Sequence, residues 1–190
     1  MSETHAERGF GTTVWQVQRW DADAVKRAQD LVQQVKPLPA DFALLGIEPY
    51  SVTQTTGNLV TNAGYSRIGN LFTAQGATQA FDAAHCRIGA GNGVTAVAYT
   101  DTDLSAAAGS ANRWFQLVSG VFTIGGTRTW TVAATFGISD GNFTWNEFGI
   151  DQGTASGNTV TAILLNHALS SQGTKASGQI WTATATITWT

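Results

Sequence analysis

The chain has 190 residues, of which 43% are hydrophobic and 12% are charged, and its formal net charge is −3. This length can bury one sizeable core, and the small negative charge argues against nucleic-acid binding, which usually needs a basic surface. The polar start at Met1 does not resemble a signal peptide, and no apolar run approaches the roughly 18 residues that span a membrane. We therefore expect neither nucleic acid nor a membrane as a partner.

Residues 1–50 differ from the rest of the chain in charge, because twelve of the 23 charged residues precede Ser51. Between Phe10 and Trp20, the apolar residues Val14, Trp15, Val17 and Trp20 lie among glycine, threonine and other polar residues, which indicates an edge strand or an extended arm. We therefore predict an N-terminal arm over residues 1–50, followed by a β domain over residues 51–190.

An amphipathic helix is predicted at about residues 22–36, since apolar residues recur at helical spacing and Pro37 ends the pattern. Asp21 or Asp23 can cap its start. The apolar face can pack on its own domain or dock on a neighbouring chain. The candidate interaction residues of the arm are Trp15, Trp20, Val25, Leu31, Val32 and Val35.

A second helix is predicted over about residues 60–74, and closely spaced strands follow it. Short glycine turns, such as Gly125-Gly126 and residues 139–142, favour antiparallel hairpins. The fold class is mainly β, an antiparallel β-sandwich or barrel with one or two α-helices in the N-terminal third. The predicted strands lie near residues 85–89, 114–124, 127–138, 142–150, 159–169 and 179–190.

The second half of the chain offers little for catalysis. From Trp114 to Thr190 there are five charged residues, which are Arg128, Asp140, Glu147, Asp151 and Lys175. In the last strand, threonines occupy one face and apolar residues the other, namely Trp181, Ala183, Ala185, Ile187 and Trp189. This pattern predicts a scaffold and an assembly surface, so we assign no catalytic residue and do not expect an enzyme.

Two local motifs near the middle of the chain are weak indicators of chemistry. His85 and Cys86 are neighbours on a predicted strand, so their side chains point to opposite faces and cannot form a nucleophile–base pair. The single cysteine also excludes an intrachain disulfide and fits folding in a reducing cytosol. Residues 88–93 are rich in glycine but lack the spacing of a phosphate-binding loop, which favours a flexible turn.

The acidic residues and histidines do not show the spacing of a metal site. Asp101 and Asp103 could contribute to a calcium loop, but no further acidic residue follows closely, so a turn or cap is favoured. Glu147 is isolated and is expected to bond to backbone at a strand end. Neither His5 nor His167 has neighbouring ligands at zinc spacing. We therefore predict no metal and no cofactor, although an ion at Asp101 and Asp103 stays open.

Most of the five tryptophans in the second half of the chain are predicted as core residues, because a sandwich needs bulky side chains between its sheets. These are Trp114, Trp130, Trp145, Trp181 and Trp189. Trp15 and Trp20 lie in the arm and are instead expected at an interface. Exposed tryptophans would instead favour a carbohydrate-binding module, and this alternative stays open.

Five segments, taken in order, resemble a pattern found in small structural proteins of tailed bacteriophages, including tail-fibre-associated and capsid-surface proteins. The resemblance covers about residues 58–190. The segments are Asn58–Tyr65, His85–Gly91, Asp101–Leu104, Trp145–Ile150 and Ile187–Thr190.

The resemblance implies a β-sandwich protein of the virion without enzymatic residues, folded in the host bacterial cytoplasm. We expect a capsid decoration protein attached through its N-terminal arm to the major capsid protein. A minor tail, tail-fibre or baseplate component that binds other tail proteins is the alternative. A homo-oligomer is expected in either case, and a trimer is one candidate.

Overall fold

The computed structural model describes residues 11–57, 59–75, 80–119, 122–125, 128–159 and 163–189. The helices are α1 (Ala22–Val32), α2 (Pro39–Leu44) and α3 (Asn62–Thr73). The strands are β1 (Thr12–Trp20), β2 (Ser51–Thr56), β3 (Leu59–Val60), β4 (Cys86–Gly91), β5 (Arg113–Leu117), β6 (Phe122–Gly125), β7 (Thr129–Phe136), β8 (Thr144–Gln152), β9 (Leu164–Thr174) and β10 (Ile180–Thr188).

These strands form two antiparallel sheets packed as a sandwich, which confirms the predicted fold class. The first, here called the terminal sheet, has the order β2-β1-β10-β7-β6. The second, called the central sheet, has the order β3-β9-β8-β4-β5. The main core lies between them and contains Trp15 and Trp181 from the terminal sheet and Ile88 and Phe148 from the central sheet.

The alternation predicted for the last strand is present in β10. Ala183 and Ala185 are buried in the core, whereas Thr184 and Thr186 lie half-buried on the outer face of the terminal sheet. The period-2 alternation of small apolar residues and threonine therefore correctly identified which side chains of the strand face the core.

The structure corrects the expectation that the segment before Trp20 is an edge strand or an extended arm. β1 lies between β2 and β10, and its pairing with β10 runs from Thr12 opposite Thr188 to Trp20 opposite Ile180. Residues 12–20 therefore belong to the sandwich, and a boundary at residue 50 would divide one sheet. The sequence could not show this because the partner strand is at the other end of the chain.

Helix α1 was predicted at its observed start, but it ends four residues earlier than expected. Asp21 caps it, and its side chain accepts a hydrogen bond from the backbone of Ala24 at 2.8 Å. Gln33 adopts a left-handed conformation with φ 56° and so stops the helix before Pro37. A short second helix, α2, then begins at Pro39, whose fixed φ suits the first turn.

Two predicted connections differ from the structure. The single strand expected over 114–124 is two strands, β5 in the central sheet and β6 in the terminal sheet. Residues 139–142 do not close a hairpin, because β7 and β8 belong to different sheets. Strand periodicity does not reveal where the chain crosses from one sheet to the other.

Helix α3 closely matches its prediction and packs against β9. Thr61 caps it, and the Thr61 hydroxyl accepts a hydrogen bond from the backbone of Gly64 at 3.0 Å. A Cβ on Gly64 would lie 2.3 Å from the carbonyl oxygen of Leu165. A glycine is therefore needed for this close approach of helix and strand.

Candidate functional site

The most concentrated polar cluster lies on the outer face of the central sheet, under the loop of residues 92–112 that joins β4 to β5. This loop is called the covering loop below. Leu104 and Ala106 of the loop are buried. A Cβ added to Gly89 would lie 3.2 Å from a methyl group of Leu104, and a Cβ added to Gly149 would lie 3.1 Å from the other. The missing side chains of these strand glycines leave room for the loop.

Glu147 of β8 is fully buried, and both its carboxylate oxygens are occupied by the covering loop and β9. Oε1 accepts hydrogen bonds from the backbone N–H of Ala106 at 2.7 Å and of Gly93 at 3.2 Å. Oε2 accepts from the backbone N–H and the hydroxyl of Ser105, both at 2.8 Å. It also lies 2.8 Å from Nε2 of His167.

His167 of β9 is buried between two carboxylates. Its Nδ1 is 2.6 Å from Oδ2 of Asp101, and its Nε2 is 2.8 Å from Oε2 of Glu147. A protonated imidazolium donates from both ring nitrogens, so it can satisfy both of these carboxylate contacts at once. The strand register explains the proximity of Glu147 and His167, since Gly149 of β8 lies opposite His167.

The pKa values of this pair shift in the directions that favour two charged groups. Burial disfavours the charged form of His167, but hydrogen bonds to Glu147 and Asp101 outweigh burial and raise its pKa. Burial likewise opposes ionisation of Glu147, but hydrogen bonds from His167, Ser105 and Ala106 lower its pKa. The cluster is therefore a charged, hydrogen-bonded anchor.

Two arginines extend the anchor to residues 153–159, which follow β8. Arg87 pairs with buried Asp151, with Nε 2.9 Å from Oδ1, and also donates to the carbonyl oxygen of Ala155 at 2.8 Å. Arg113 pairs with Asp103 and donates from Nε to the carbonyl oxygen of Asn158 at 2.8 Å. Both arginines therefore fix irregular backbone over the sheet.

The geometry does not favour a metal at this cluster. Asp101 and Glu147 lie on opposite sides of the His167 ring, so they do not converge on one point. Within the described ranges, no group of three or more histidine, cysteine, aspartate or glutamate side chains is arranged to hold an ion. Asp101 and Asp103, considered above for calcium, are instead paired with His167 and Arg113.

Glu147 and His167 were not recognised as a pair from the sequence. The backbone bonds expected for Glu147 are present, but His167 is twenty residues away in the chain and Asp101 is sixty-six residues from His167. One signal in the sequence could have pointed to the pair, because each residue is an isolated ionisable group in a largely apolar segment. Glu147 lies within Trp145–Ile150, and His167 lies within Leu164–Leu169. Such residues need a buried partner, which here comes from the neighbouring strand.

The glycine-rich stretch is not arranged as a phosphate-binding loop, and His85 and Cys86 are not arranged as a nucleophile–base pair. Residues up to Gly91 continue strand β4, so the flexible turn expected there is wrong for residues 88–91. A Cβ on Gly91 would lie 2.4 Å from Oε1 of Glu147. Cys86 is buried, and burial raises the pKa of its thiol, whereas His85 bonds to Asp82. The cysteine is therefore not activated.

The structure divides the six candidate interaction residues into two groups. Trp15 is buried in the main core, and Trp20 and Val25 lie in a smaller core with Phe42 of α2. These three are unavailable to another chain, which corrects that part of the prediction. The sequence pattern placed Trp15 and Trp20 on an extended segment and Val25 on a helix. It did not show which parts of the fold cover these side chains.

The other three residues lie at the end of α1 and just after it. Leu31 is 58% exposed and Val35 is 80% exposed, whereas Val32 is half-buried. Leu44 of α2 is 83% exposed. Leu31, Val35 and Leu44 are called the helical-hairpin patch below.

All seven tryptophans lie in the described part of the chain, and none is exposed. Five are buried, and Trp114 and Trp189 are half-buried against the main core. The structure therefore gives no exposed indole for stacking on a sugar ring.

Over strands β2, β1, β10 and β7, the outer face of the terminal sheet carries no charged side chain. Gln16 and Gln18 of β1 lie beside Thr184 and Thr182 of β10. The hydroxyls of Thr135 and Thr182 are 3.0 Å apart across β7 and β10. Among the side chains that the structure describes on this face there are hydrogen-bonding groups and no ionisable group.

Comparisons with known proteins found no protein-family model that matches the chain, no similar curated protein and no similar solved structure. None of the helices in the described ranges has both the length and the apolar character required to cross a bilayer.

Proposed function

We propose that this chain is a non-enzymatic structural protein of a tailed-bacteriophage particle, which binds the capsid shell as a decoration protein. The partner is the major capsid protein, and the attachment surface is the helical-hairpin patch at the N-terminal end of the chain. Folding takes place in the host cytoplasm, and the mature location is the virion.

The observation that carries this proposal is the hydrogen bonding of the Glu147 carboxylate. Its two oxygens receive five hydrogen bonds from described residues, so the carboxylate has no free lone pair directed at a substrate. Its lowered pKa also makes it a weak base. The best-formed polar cluster of the chain is therefore suited to holding a loop rather than to proton transfer.

Other charged residues of the second half are also used inside the fold. Asp151 is buried against Arg87. Lys175 is buried and donates from Nζ to the carbonyl oxygen of Gly137 at 2.8 Å and to Asn142 at 2.7 Å. Burial lowers the pKa of Lys175 to about 8, with Asp140 opposing this shift and Lys36 adding to it.

Three of the five segments that resemble phage structural proteins meet at this cluster, namely His85–Gly91, Asp101–Leu104 and Trp145–Ile150, which supports a common structural role for these three. Asp101 bonds to His167, which bonds to Glu147, and Gly91 leaves space for the Glu147 carboxylate. A protein that must persist outside the cell benefits from surface loops fixed by buried ion pairs.

The helical-hairpin patch supports attachment at the N-terminal side. Large apolar side chains are costly to leave in water, and exposed ones can take part in protein contacts. Leu31 and Leu44 are exposed on two helices that pack through Val25 and Phe42, and Val35 is exposed in the turn that follows α1. The patch is thus presented on a rigid support.

A co-sedimentation assay tests the attachment. Purified chain is mixed with phage particles assembled without it, and pelleted particles are analysed for bound protein. We expect the unaltered chain and a Phe72→Ser control, which removes an equally exposed apolar residue of α3, to pellet with the particles. The triple variant Leu31→Ser, Val35→Ser, Leu44→Ser should stay in the supernatant. Failure of the unaltered chain to bind would contradict the proposal.

A further inference from the structure

Strand β2 forms an open edge of the terminal sheet. It pairs with β1 on one side, and no other described strand lies beyond it. The backbone N–H of Gly57 donates to the carbonyl oxygen of Thr13 at 3.1 Å. In an antiparallel ladder the residues that bond to one neighbouring strand alternate along the chain. The backbone N–H and C=O groups of Thr53 and Thr55 therefore also point toward β1. The backbone N–H and C=O groups of Val52, Gln54 and Thr56 therefore point to the open side.

This edge lacks the features that usually prevent strand pairing between molecules. Natural edge strands are protected by charged side chains, proline or bulges. Residues 51–56 contain no charged residue and no proline, and their register with β1 is continuous. The side chains of Val52, Gln54 and Thr56 are exposed on the outer face of the sheet.

The inner side of β2 is held in place, so the edge is presented in an extended conformation. Arg19 donates to the hydroxyl of Thr53 at 3.0 Å and to that of Ser51 at 3.1 Å. Ser170 of β9 donates to the hydroxyl of Thr55 at 2.8 Å. A strand fixed in this way loses little conformational freedom when it pairs.

We propose that a second copy of this chain adds its β2 antiparallel to this β2, about a two-fold axis at Gln54. Val52 of each copy then lies opposite Thr56 of the other, with about six backbone hydrogen bonds between the copies. An identical strand is the favoured occupant, because antiparallel pairing about Gln54 is self-complementary and places no like charges opposite each other. The result is one continuous sheet with an uncharged outer face.

This inference does not depend on a role in phage particles, and the full chain in solution tests it. Sedimentation velocity over a range of concentrations should show a reversible monomer–dimer equilibrium. Gln54→Pro removes an N–H directed at the second copy while retaining the hydrogen bonds to β1. We expect it to weaken dimerisation about tenfold or more, through loss of two backbone hydrogen bonds. Gln54→Lys, which places two like charges at the axis, should weaken it similarly.

Cysteine cross-linking tests the register. In Gln54→Cys the two thiols face each other, with Cα atoms about 5.5 Å apart, within disulfide range. The control, Gln16→Cys, places the same group on the adjacent strand of the same face, about 14 Å from its counterpart. The native Cys86 is fully buried and does not interfere.

We expect oxidation to give a covalent dimer of Gln54→Cys and none of Gln16→Cys. Equal cross-linking of the two variants would overturn the inference. A chain that is monomeric at all concentrations, with no cross-linked Gln54→Cys, would also overturn it. Circular dichroism of each variant checks that the fold is retained, and Gln54→Lys replaces Gln54→Pro in the association assay should proline unfold the protein.

Discussion

Oε2 of Glu147 lies 2.8 Å from Nε2 of His167, and this contact joins strands β8 and β9 beneath the covering loop. The same oxygen accepts two hydrogen bonds from Ser105 of that loop. One buried carboxylate therefore connects the sheet to the irregular chain that covers it. Loss of this connection should release the loop before it unfolds the sandwich.

Replacing Glu147 should destabilise the fold. In Glu147→Gln, an amide NH₂ takes the position of an oxygen that faces N–H donors, so Ser105 or His167 loses an acceptor and the charge of His167 is left less compensated. We expect a loss of about 2–4 kcal/mol in the free energy of unfolding, measured by urea denaturation. Glu48→Gln, at an exposed position, should change it by no more than about 0.5 kcal/mol.

Hydrogen exchange distinguishes the loop from the sheet. The amides of Ser105 and Ala106 should lose protection in Glu147→Gln well before those of β10. Unchanged protection at both amides would contradict the anchoring role of Glu147.

The contribution of His167 should depend on pH. Its raised pKa means that the stabilisation is fully present below the unfolded value of about 6.5 and is lost as pH rises through the higher folded value. The lowered pKa of Glu147 acts in the opposite sense, with stabilisation lost as pH falls through its folded value. The difference between the unaltered chain and His167→Gln should therefore be largest between about pH 4.5 and 6.5. Urea titrations across pH 4 to 9 measure it, and a difference that does not vary with pH would count against a charged His167.

Glycine replacements test the close packing around the anchor. In Gly91→Ala the new Cβ would lie 2.4 Å from Oε1 of Glu147 and 3.0 Å from Cβ of Ala106. We expect a loss of about 1–3 kcal/mol from overpacking. Gly69→Ala is the matched control in α3, where nothing lies within 4 Å of the added Cβ, and it should gain about 0.5–1 kcal/mol from helix propensity. Thermal melts of both variants give the signs, and equal stability of the two would contradict the described packing.

Lys175 should make the fold more stable at alkaline pH. Its pKa of about 8 in the folded chain lies below the ordinary value of 10.5, so the unfolded chain binds more protons between these values and stability rises with pH. Lys175→Met should remove this rise. Urea titrations from pH 7 to 10 would show a steeper slope for the unaltered chain, and parallel slopes would disprove a lowered pKa.

Local patterns in the sequence predicted much of the sandwich. The alternation in β10, the cap at Asp21 and the helix near residues 62–73 depend on neighbouring residues, and these features were found close to their predicted positions. The central place of β1 depends on a partner about 170 residues away, and local periodicity does not contain that information. The candidate site was missed for the same reason, since Asp101, Glu147 and His167 lie on three separate segments.

The exposure of individual residues was also difficult to predict. Val25 and Leu31 belong to the same apolar helix pattern, yet Val25 is buried under α2 and Leu31 is exposed. The difference arises because α2 and Trp20 cover only one end of α1. Helical periodicity identifies the apolar face of a helix. It does not show how much of that face a neighbouring element covers.

Cryo-electron microscopy of purified phage particles whose genome encodes this sequence tests the central proposal most directly. We predict ordered copies of the sandwich on the outer capsid surface, with Leu31, Val35 and Leu44 against the major capsid protein. Copies found only on the tail would replace the decoration role by a tail role. Particles with no ordered copy on head or tail, and no peptide of the chain detected by mass spectrometry, would contradict the proposal.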